Sequence, residues 1–541
     1  MKIFNFLLLF CFSLFSCTHW MPSLSSFPDA SIYELENGLC FLHQKSPKAI
    51  WGKACLWIKI EESKENESLG HLLEHLLIQK KRSEYKEILI EGKTNAHFII
   101  FQCDFLQQDS PRAYQALLEI LCHGSLWNQE EIHNALLVLQ YEKLQNPNAP
   151  VPDEKDLAKR LSLFQKKVFQ PQNALLCLSS PEKDISCVES SWQKISQGIS
   201  YKNSIPMNKS IPFFKALALN SVYDQSIELV WESEKDKDFL IFLMPDSDWV
   251  GYSALFPDME DAAAWKQKGF SLRESKNSAL AYRIFTRESF ASFQQYPKSR
   301  NPLKDGGSLA KKKLWFRLCN AFLEEKKIRE KPLFSLAMEG DKKDLLWRAK
   351  KIASSGEIEE KATDDKSQNP ETSAVVYVMA GSKAPGLLSK DYFSCHALAV
   401  LLSQEMSSYF VDSGQAYQAI SWYDPIQEIL CVWVATTYEQ KDTIKKNLDH
   451  FLLSFPKISS DQWSYLLPRT RLCYLKSKEF TPQNFPDIAL ELAMIQELQG
   501  DLPLRWKQFQ NADFICSHED FIALQDRILK VENWIFLDSS E

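Results

Sequence analysis

Two histidines and a glutamate lie within five consecutive residues of the chain, at His71, Glu74 and His75. The spacing i, i+3 and i+4 puts all three side chains on one face of a helix, so both imidazoles can bind one metal ion with the carboxylate beside them. A chance match would normally lie on a solvated face, whereas unpaired polar groups among apolar ones are costly. Here the neighbouring residues predict a buried amphipathic helix: Leu69, Leu72, Leu73, Leu76 and Leu77.

A third metal ligand is expected elsewhere in the chain. A catalytic zinc ion normally takes three protein ligands and leaves the fourth position to water. The candidate is Glu142, near the end of a segment from Trp127 to Lys143 with helical apolar spacing. This segment opens on Asn128, a residue type that caps helices. A second helix is therefore predicted to carry Glu142.

The order of these features resembles that of the insulinase/pitrilysin family of zinc metallopeptidases, the inverzincins, which includes the mitochondrial processing peptidase. Residues 33–39 are similar to the family's first strand and turn, and residues 54–60 to the strand before the zinc helix. Residues 94–98 resemble the Asn-Ala strand of the active site, residues 113–121 the next long helix, and residues 169–178 the late strand of the same domain.

The resemblance implies that His71, His75 and Glu142 bind one zinc ion per chain and that Glu74 is the general base rather than a ligand. Zinc lowers the pKa of a bound water and polarises the scissile carbonyl, and a carboxylate nearby takes the proton and passes it to the leaving amine. The implied activity is that of a metalloendopeptidase.

Three further residues are implied to contact substrate. Asn95 and Ala96 would line the site, where family substrates add as a strand to a sheet edge and are bound through their backbone. Residues 414–419 are similar to the Gly-x-x-Tyr signature of the family's non-catalytic half, in which the tyrosine, here Tyr417, helps to hold substrate. The alternative for Tyr417 is a packed aromatic residue at a strand start.

The chain departs from the family pattern at two positions. The family often has another glutamate seven residues before the third ligand, where this chain has Ala135. A hydrogen-bond partner that would support the metal ligands is therefore missing. The family also has an arginine seven residues before the tyrosine, where this chain has Phe410. Loss of a guanidinium removes a strong donor to substrate carbonyls and predicts weaker substrate clamping.

The first residues resemble an export signal. Met1 and Lys2 precede an apolar run from Ile3 to Phe15, which is too short for a permanent membrane span but suits a secretory signal. The run ends at a sequence similar to a bacterial lipobox, in which Cys17 would become the lipidated N-terminus. The alternative is an ordinary signal peptide cut nearby. Either interpretation predicts an exported, periplasmic protein, and the lipobox interpretation adds attachment to the envelope through an N-terminal lipid only.

Composition agrees with a large folded body. The chain has 541 residues, of which 45 % are hydrophobic and 25 % charged, enough for two to four domains. The formal net charge of -7 and the lack of a basic stripe or a known motif argue against nucleic-acid binding. The 13 cysteines include no Cys-x-x-Cys pair. We expect most to be small core residues, although some could pair in an oxidising compartment.

The predicted fold class is α+β, with two family-type halves of antiparallel sheets and helices that form a clamshell around a chamber. The middle region has strand-like runs but no chemical motif, and it fits either a degenerate family domain or an insertion. The predicted divisions are a signal (1–17), an N-terminal catalytic domain (30–200), the middle region (201–353), a polar linker (354–372) and a C-terminal inactive domain (373–541).

Three functions follow, from different classes. The first is an exported zinc endopeptidase that cleaves oligopeptides or unfolded polypeptide segments. The second is a pseudoenzyme that binds peptides or scaffolds an envelope partner, as Ala135 and Phe410 would permit. The third is a lipid-anchored envelope protein with a purely structural role. The sequence indicates neither a cleavage preference nor an oligomeric state.

Overall fold

The computed structural model describes residues 30–34, 39–45, 51–122, 127–145, 149–180, 186–196, 228–233, 238–243, 249–256, 270–275, 278–286, 314, 317, 318, 321, 333–338, 343, 350, 375–479, 484–498, 500–512 and 514–538. These residues form helices and mainly antiparallel sheets, so the predicted α+β class is confirmed. None of the helices in this part of the chain has the length and apolar character needed to cross a bilayer. The predicted signal (1–17) and linker (354–372) lie outside it.

Two compact units divide the chain, residues 1–127 with 152–223, and residues 128–151 with 224–541. The first unit contains a six-stranded sheet of β1 (Ala30–Glu34), β2 (Cys40–Lys45), β3 (Trp51–Lys59), β4 (Leu89–Thr94), β5 (Phe98–Leu106) and β6 (Ala174–Ser180). The strand order is β1-β2-β6-β3-β5-β4, and only β2 and β6 are parallel. Among the described strands, β4 is therefore an edge.

Helices cover one face of this first sheet. They are α1 (Lys64–Glu84), α2 (Ser110–Cys122), α4 (Leu157–Val168) and α5 (Ser186–Ser196), and α3 (Gln129–Gln145) groups with the second unit. α1 packs on β4 and β5, and α2 on β3 and β5. Alternate β3 residues, Ala54, Leu56 and Ile58, are wholly buried, as the two-residue repeat of a strand requires. Burial of each large aliphatic side chain contributes about 1.5–3 kcal/mol.

The second unit contains two sheets. One is made of β7 (Glu228–Ser233), β8 (Asp238–Leu243), β9 (Trp249–Phe256), β10 (Ser271–Ser275), β11 (Ser278–Thr286) and β12 (Leu333–Met338). The other is made of β13 (Val375–Lys383), β14 (Gln418–Asp424), β15 (Ile429–Thr437) and β16 (Trp534–Asp538). The helices of this part are α6 (Tyr392–Met406), α7 (Lys441–Leu453), α8 (Ser460–Ser477), α9 (Phe485–Glu497), α10 (Leu502–Asn511) and α11 (His518–Ile528).

The three sheets share one strand order. The second sheet reads β7-β8-β12-β9-β11-β10, which repeats the first sheet strand for strand, including its single parallel pair, β8 with β12. The third sheet reads β16-β13-β15-β14 and matches the last four strands of the first. α6 follows β13 as α1 follows β3. For the middle region, this repetition favours a degenerate copy of the first domain over an insertion.

Candidate metal centre

The helix with the histidine motif, α1, is longer than the motif itself. Its N-terminus is capped by Ser63, whose Oγ accepts a hydrogen bond of 3.0 Å from the backbone of Asn66. Acidic residues lie in its first turn and basic residues in its last, and both interact favourably with the helix dipole. The apolar residues that predicted the helix are all buried: Leu69, Leu72, Leu73, Leu76 and Leu77.

This packing leaves His71 and His75 partly exposed on one side of α1. The two rings are one helical turn apart, with centroids separated by 5.0 Å and planes tilted by 60°. Glu74 lies between them in sequence, but its side chain is only 5 % exposed. The helix therefore separates two imidazoles that can bind a metal from a carboxylate held closer to the core.

Glu142 lies on α3, the second helix predicted from the sequence. Asn128 caps this helix, because its Oδ1 accepts a hydrogen bond of 2.8 Å from the backbone of Glu131, and Glu131 Oε2 accepts one of 2.8 Å in return. One ligand atom each from His71, His75 and Glu142 lie within 4.8 Å of one another. Within the described part of the chain, no other three His, Cys, Asp or Glu residues are so arranged.

These three residues supply two imidazoles and one carboxylate, which are side-chain types that can hold a metal ion. Two imidazole nitrogens and one carboxylate oxygen are a known ligand combination for zinc in hydrolases, with a fourth position left for water. A tetrahedral zinc ion that binds these atoms at about 2.0–2.2 Å spaces them by about 3.3–3.6 Å. The ligand atoms here lie within 4.8 Å of one another, so they would have to move closer together by at most about 1.5 Å to hold a single ion. Small changes in the side-chain torsions of His71, His75 and Glu142 would bring the ligand atoms to these separations.

The carboxylate of Glu74 has a hydrogen-bond partner on β4. Thr94 Oγ1 donates to Glu74 Oε2 across 2.7 Å. Thr94 immediately precedes the Asn-Ala pair, but no sequence motif gives it a role. In the sequence, only this position next to Asn95 pointed to Thr94, because 20 residues separate Thr94 from Glu74.

Asn95 and Ala96 lie in the tight connection between β4 and β5, where the sequence predicted a strand. Asn95 Oδ1 accepts hydrogen bonds of 2.9 Å from the backbone of both His97 and Phe98. An asparagine side chain that mimics the backbone in this way favours a turn over a strand. The side-chain oxygen of Asn95 is therefore engaged in its own turn.

The two departures from the family pattern are both buried apolar side chains. Ala135 is 4 % exposed on α3, and its methyl group has no capacity for a hydrogen bond. Phe410 is wholly buried in a π-helical turn that follows α6, and its ring packs against Tyr409 and Phe451. Phe410 therefore serves the core of its own unit.

The predicted substrate tyrosine follows a sharp turn. Gly414 has a φ of +72°, and a Cβ at this position would lie 2.7 Å from Leu137 Cδ1 on α3. Three residues on, Tyr417 is half-buried and packs against an apolar cluster that includes Tyr377 and Trp433. These contacts fit the alternative in which Tyr417 is a packed aromatic residue. Cys17, the predicted lipidation site, lies outside the described residues.

The third sheet has a buried polar cluster beside α6. Glu491 accepts hydrogen bonds from the hydroxyl of Tyr392, at 2.6 Å, and from the ammonium group of Lys478. The guanidinium of Arg505 lies 4.2 Å from the centre of the Tyr392 ring. His396, on α6, makes edge-to-face contacts with the rings of Tyr392, Tyr423 and Tyr474. The α6 sequence contains no His-x-x-Glu-His motif.

Solved structures to which the chain is similar include a protease from Helicobacter pylori, with 12 % identity over 94 % of this chain and 98 % of that one, at a TM-score of 0.28. Another is the periplasmic protease PqqL from Escherichia coli, with 11 % identity over 93 % and 74 %, at a TM-score of 0.34. A third is pitrilysin, with 11 % identity over 92 % and 69 %, at a TM-score of 0.34. Identities and TM-scores of this size do not carry a function to this chain.

No family model matches the sequence, and no curated protein matches it either.

Proposed function

We propose that this protein is an exported zinc-dependent endopeptidase that cleaves oligopeptides or unfolded polypeptide segments. The observation that carries the proposal is the convergence of His71, His75 and Glu142, whose ligand atoms lie within 4.8 Å of one another. In this proposal the three residues hold one zinc ion. When bound, zinc would polarise the scissile carbonyl and lower the pKa of a water molecule.

Glu74 is the general base in the proposed reaction. Its carboxylate takes a proton from the attacking water and gives it to the leaving amine, so that the peptide bond breaks without free hydroxide or a free amide anion. Its position one residue before a ligand keeps it beside the reacting atoms. The hydrogen bond from Thr94 occupies one carboxylate oxygen, Oε2.

The edge strand β4 offers a way to bind substrate. An extended peptide can add to a sheet edge through backbone hydrogen bonds, which tolerate many sequences. The side chains of Glu91 and Lys93 on this strand are exposed. Because Thr94 belongs to the same strand, a peptide bound along β4 would lie close to Glu74. Oligopeptides and unfolded segments are the substrates able to adopt this extended form.

A second candidate is a pseudoenzyme that binds peptides or scaffolds an envelope partner. The observation in its favour is that Ala135 and Phe410, which replace a glutamate and an arginine of the family pattern, are both buried apolar residues. A site without these groups would bind metal and substrate less tightly.

The deciding experiment measures zinc content and hydrolysis of a quenched-fluorescent peptide mixture. The mature protein, purified from cells that express the full chain, is compared with Glu74→Gln and with Glu67→Gln, a matched change on the same helix. We expect one zinc per chain in all three proteins and cleavage abolished only in Glu74→Gln. Zinc without cleavage in the wild type would favour the pseudoenzyme. Failure to bind zinc after reconstitution would refute the metal site.

Export and lipid attachment at Cys17 are part of the proposal, and they rest on the sequence alone. Mass spectrometry of the mature N-terminus is the test. A lipid-modified cysteine that disappears in Cys17→Ser would support the anchor. An unmodified N-terminus close to this position would support an ordinary signal peptide.

A further inference from the structure

Two residues of β4, Gly92 and Thr94, contact the carboxylate side chain of Glu74 from the same side. They are two positions apart on the strand, so they face the same way. Thr94 Oγ1 donates a hydrogen bond of 2.7 Å to Glu74 Oε2. A Cβ at position 92 would lie 2.6 Å from Glu74 Cγ and 2.7 Å from its Oε1. The same Cβ would also clash with Ile78 Cδ1, so no side chain larger than that of glycine fits there unless both Ile78 and Glu74 move.

This close approach bears on the function of Glu74. The last torsion of a glutamate side chain is broad and soft, so a carboxylate without a fixed donor samples many orientations. A general base must present a lone pair within hydrogen-bond reach of the proton it takes. A threonine in a strand has few χ1 conformers, which makes its hydroxyl a well-defined donor.

We propose that Thr94 is a positioning residue that orients the carboxylate of Glu74 for proton transfer, and that Gly92 provides the space in which this carboxylate lies. This inference rests on the proposed peptidase function. In this inference Thr94 acts through its hydrogen bond to Glu74. Its contribution is expected in the turnover step rather than in substrate binding.

The test compares two pairs of proteins that differ only by a hydroxyl. Wild type against Thr94→Val keeps the branched shape, and Thr94→Ser against Thr94→Ala repeats the comparison without the methyl group. In each pair we expect loss of the hydroxyl to lower kcat by roughly ten- to a hundredfold, as for loss of a hydrogen bond to a charged group. KM should change by less than about twofold, and zinc content should stay at one per chain.

Thr470→Val is the matched control. Thr470 is a buried threonine of α8 whose Oγ1 donates to the backbone of Leu466 across 2.8 Å. Its loss removes a hydroxyl of the same kind without touching β4 or α1, and we expect kcat to stay within about twofold of the wild type.

Several outcomes would overturn the inference while the peptidase function stands. They are an active wild type with an unchanged kcat in Thr94→Val, an equal fall in Thr94→Ser and Thr94→Ala, or a rise in KM without a fall in kcat. If Thr94→Val fails to fold or loses zinc, the Ser and Ala pair decides. A wild-type protein that binds zinc but hydrolyses no peptide would refute the proposed function, and the inference with it.

Discussion

Lys81 on α1 places its ammonium nitrogen 2.6 Å from Glu119 Oε2 on α2 and 2.6 Å from Glu84 Oε2 in the next turn of its own helix. The lysine side chain is 3 % exposed and that of Glu119 is 16 % exposed. Burial raises the pKa of the Glu119 carboxyl, but hydrogen bonds from Lys81 and Gln115 outweigh this, so the net pKa is lowered. The pair joins the histidine-bearing helix to the rest of the first unit.

Lys81→Met should destabilise the protein by about 3 kcal/mol, because it leaves the partly buried carboxylate of Glu119 without its cation. Denaturant unfolding measures the change. Adding Glu119→Gln should recover part of the lost stability, because the unpaired carboxylate charge is then absent. Lys64→Met, at an exposed position of the same helix, should stay within about 0.5 kcal/mol of the wild type. An equal effect at both lysines would contradict the assignment.

His396 should make stability depend on pH. The residue is half-buried, and its ring Nε2 is inaccessible to water and has no hydrogen-bond partner among the described residues. Burial, with Lys478 and Arg505 nearby, holds the pKa of His396 well below its usual range. The neutral ring is flanked by Tyr392 and Tyr423.

Because the folded-state pKa of His396 is lowered, its contribution to stability is complete above the unfolded pKa of about 6.5 and is lost as pH falls below that value. The slope of this loss is at most about 1.4 kcal/mol per pH unit for one proton. Unfolding free energies at pH 7.5 and 5.5 should therefore fall more in the wild type than in His396→Phe. The same fall in both proteins would assign the effect to other groups.

Cys55 and Cys177 should resist alkylation in the folded protein. They lie directly opposite each other on β3 and β6, and both are buried. Burial raises the pKa of Cys55 to about 12 and that of Cys177 well above its usual value. Because the thiolate is the reactive form, iodoacetamide at pH 8 should leave both unmodified, while Cys473, partly exposed, reacts before them.

Peptide mass spectrometry after alkylation tests this prediction, with the denatured protein as the control in which all thiols react. Opposite residues of an antiparallel pair have Cα atoms about 4.5–5.5 Å apart, which is within the reach of a disulfide. A Cys55–Cys177 disulfide peptide from the native protein would therefore be a clear contradiction.

The sequence was most informative where the pattern is local. The leucines around His71 and His75 predicted α1 correctly, because the spacing that indicates a buried helical face can be read from neighbouring residues. Asn128 predicted the start of α3 for the same reason, because a capping box spans four residues. Glu142 was added by resemblance, and its convergence with the histidines depends on how the chain folds between them.

Other features depend on contacts distant in sequence. The bond between Thr94 and Glu74 exists only because β4 docks against α1, and no periodicity predicts that contact. The residues after it were predicted as a strand, but the Asn95 side chain turns the chain instead. The repeated strand order of the middle region could not be predicted either, because sequence patterns indicate where short strands lie but not which strands pair.

The edge strand β4, where the Ile90 carbonyl accepts a hydrogen bond of 3.0 Å from Arg82 Nε, also bears on the solubility of the protein. A strand with unpaired backbone groups can pair with the same strand of another molecule and begin aggregation. β4 exposes Glu91 and Lys93 on either side of Gly92, and charged side chains on an edge discourage growth of a sheet between molecules. The strand is also only six residues long. An edge of this kind can pair with a short extended peptide and still resist pairing with β4 of another molecule.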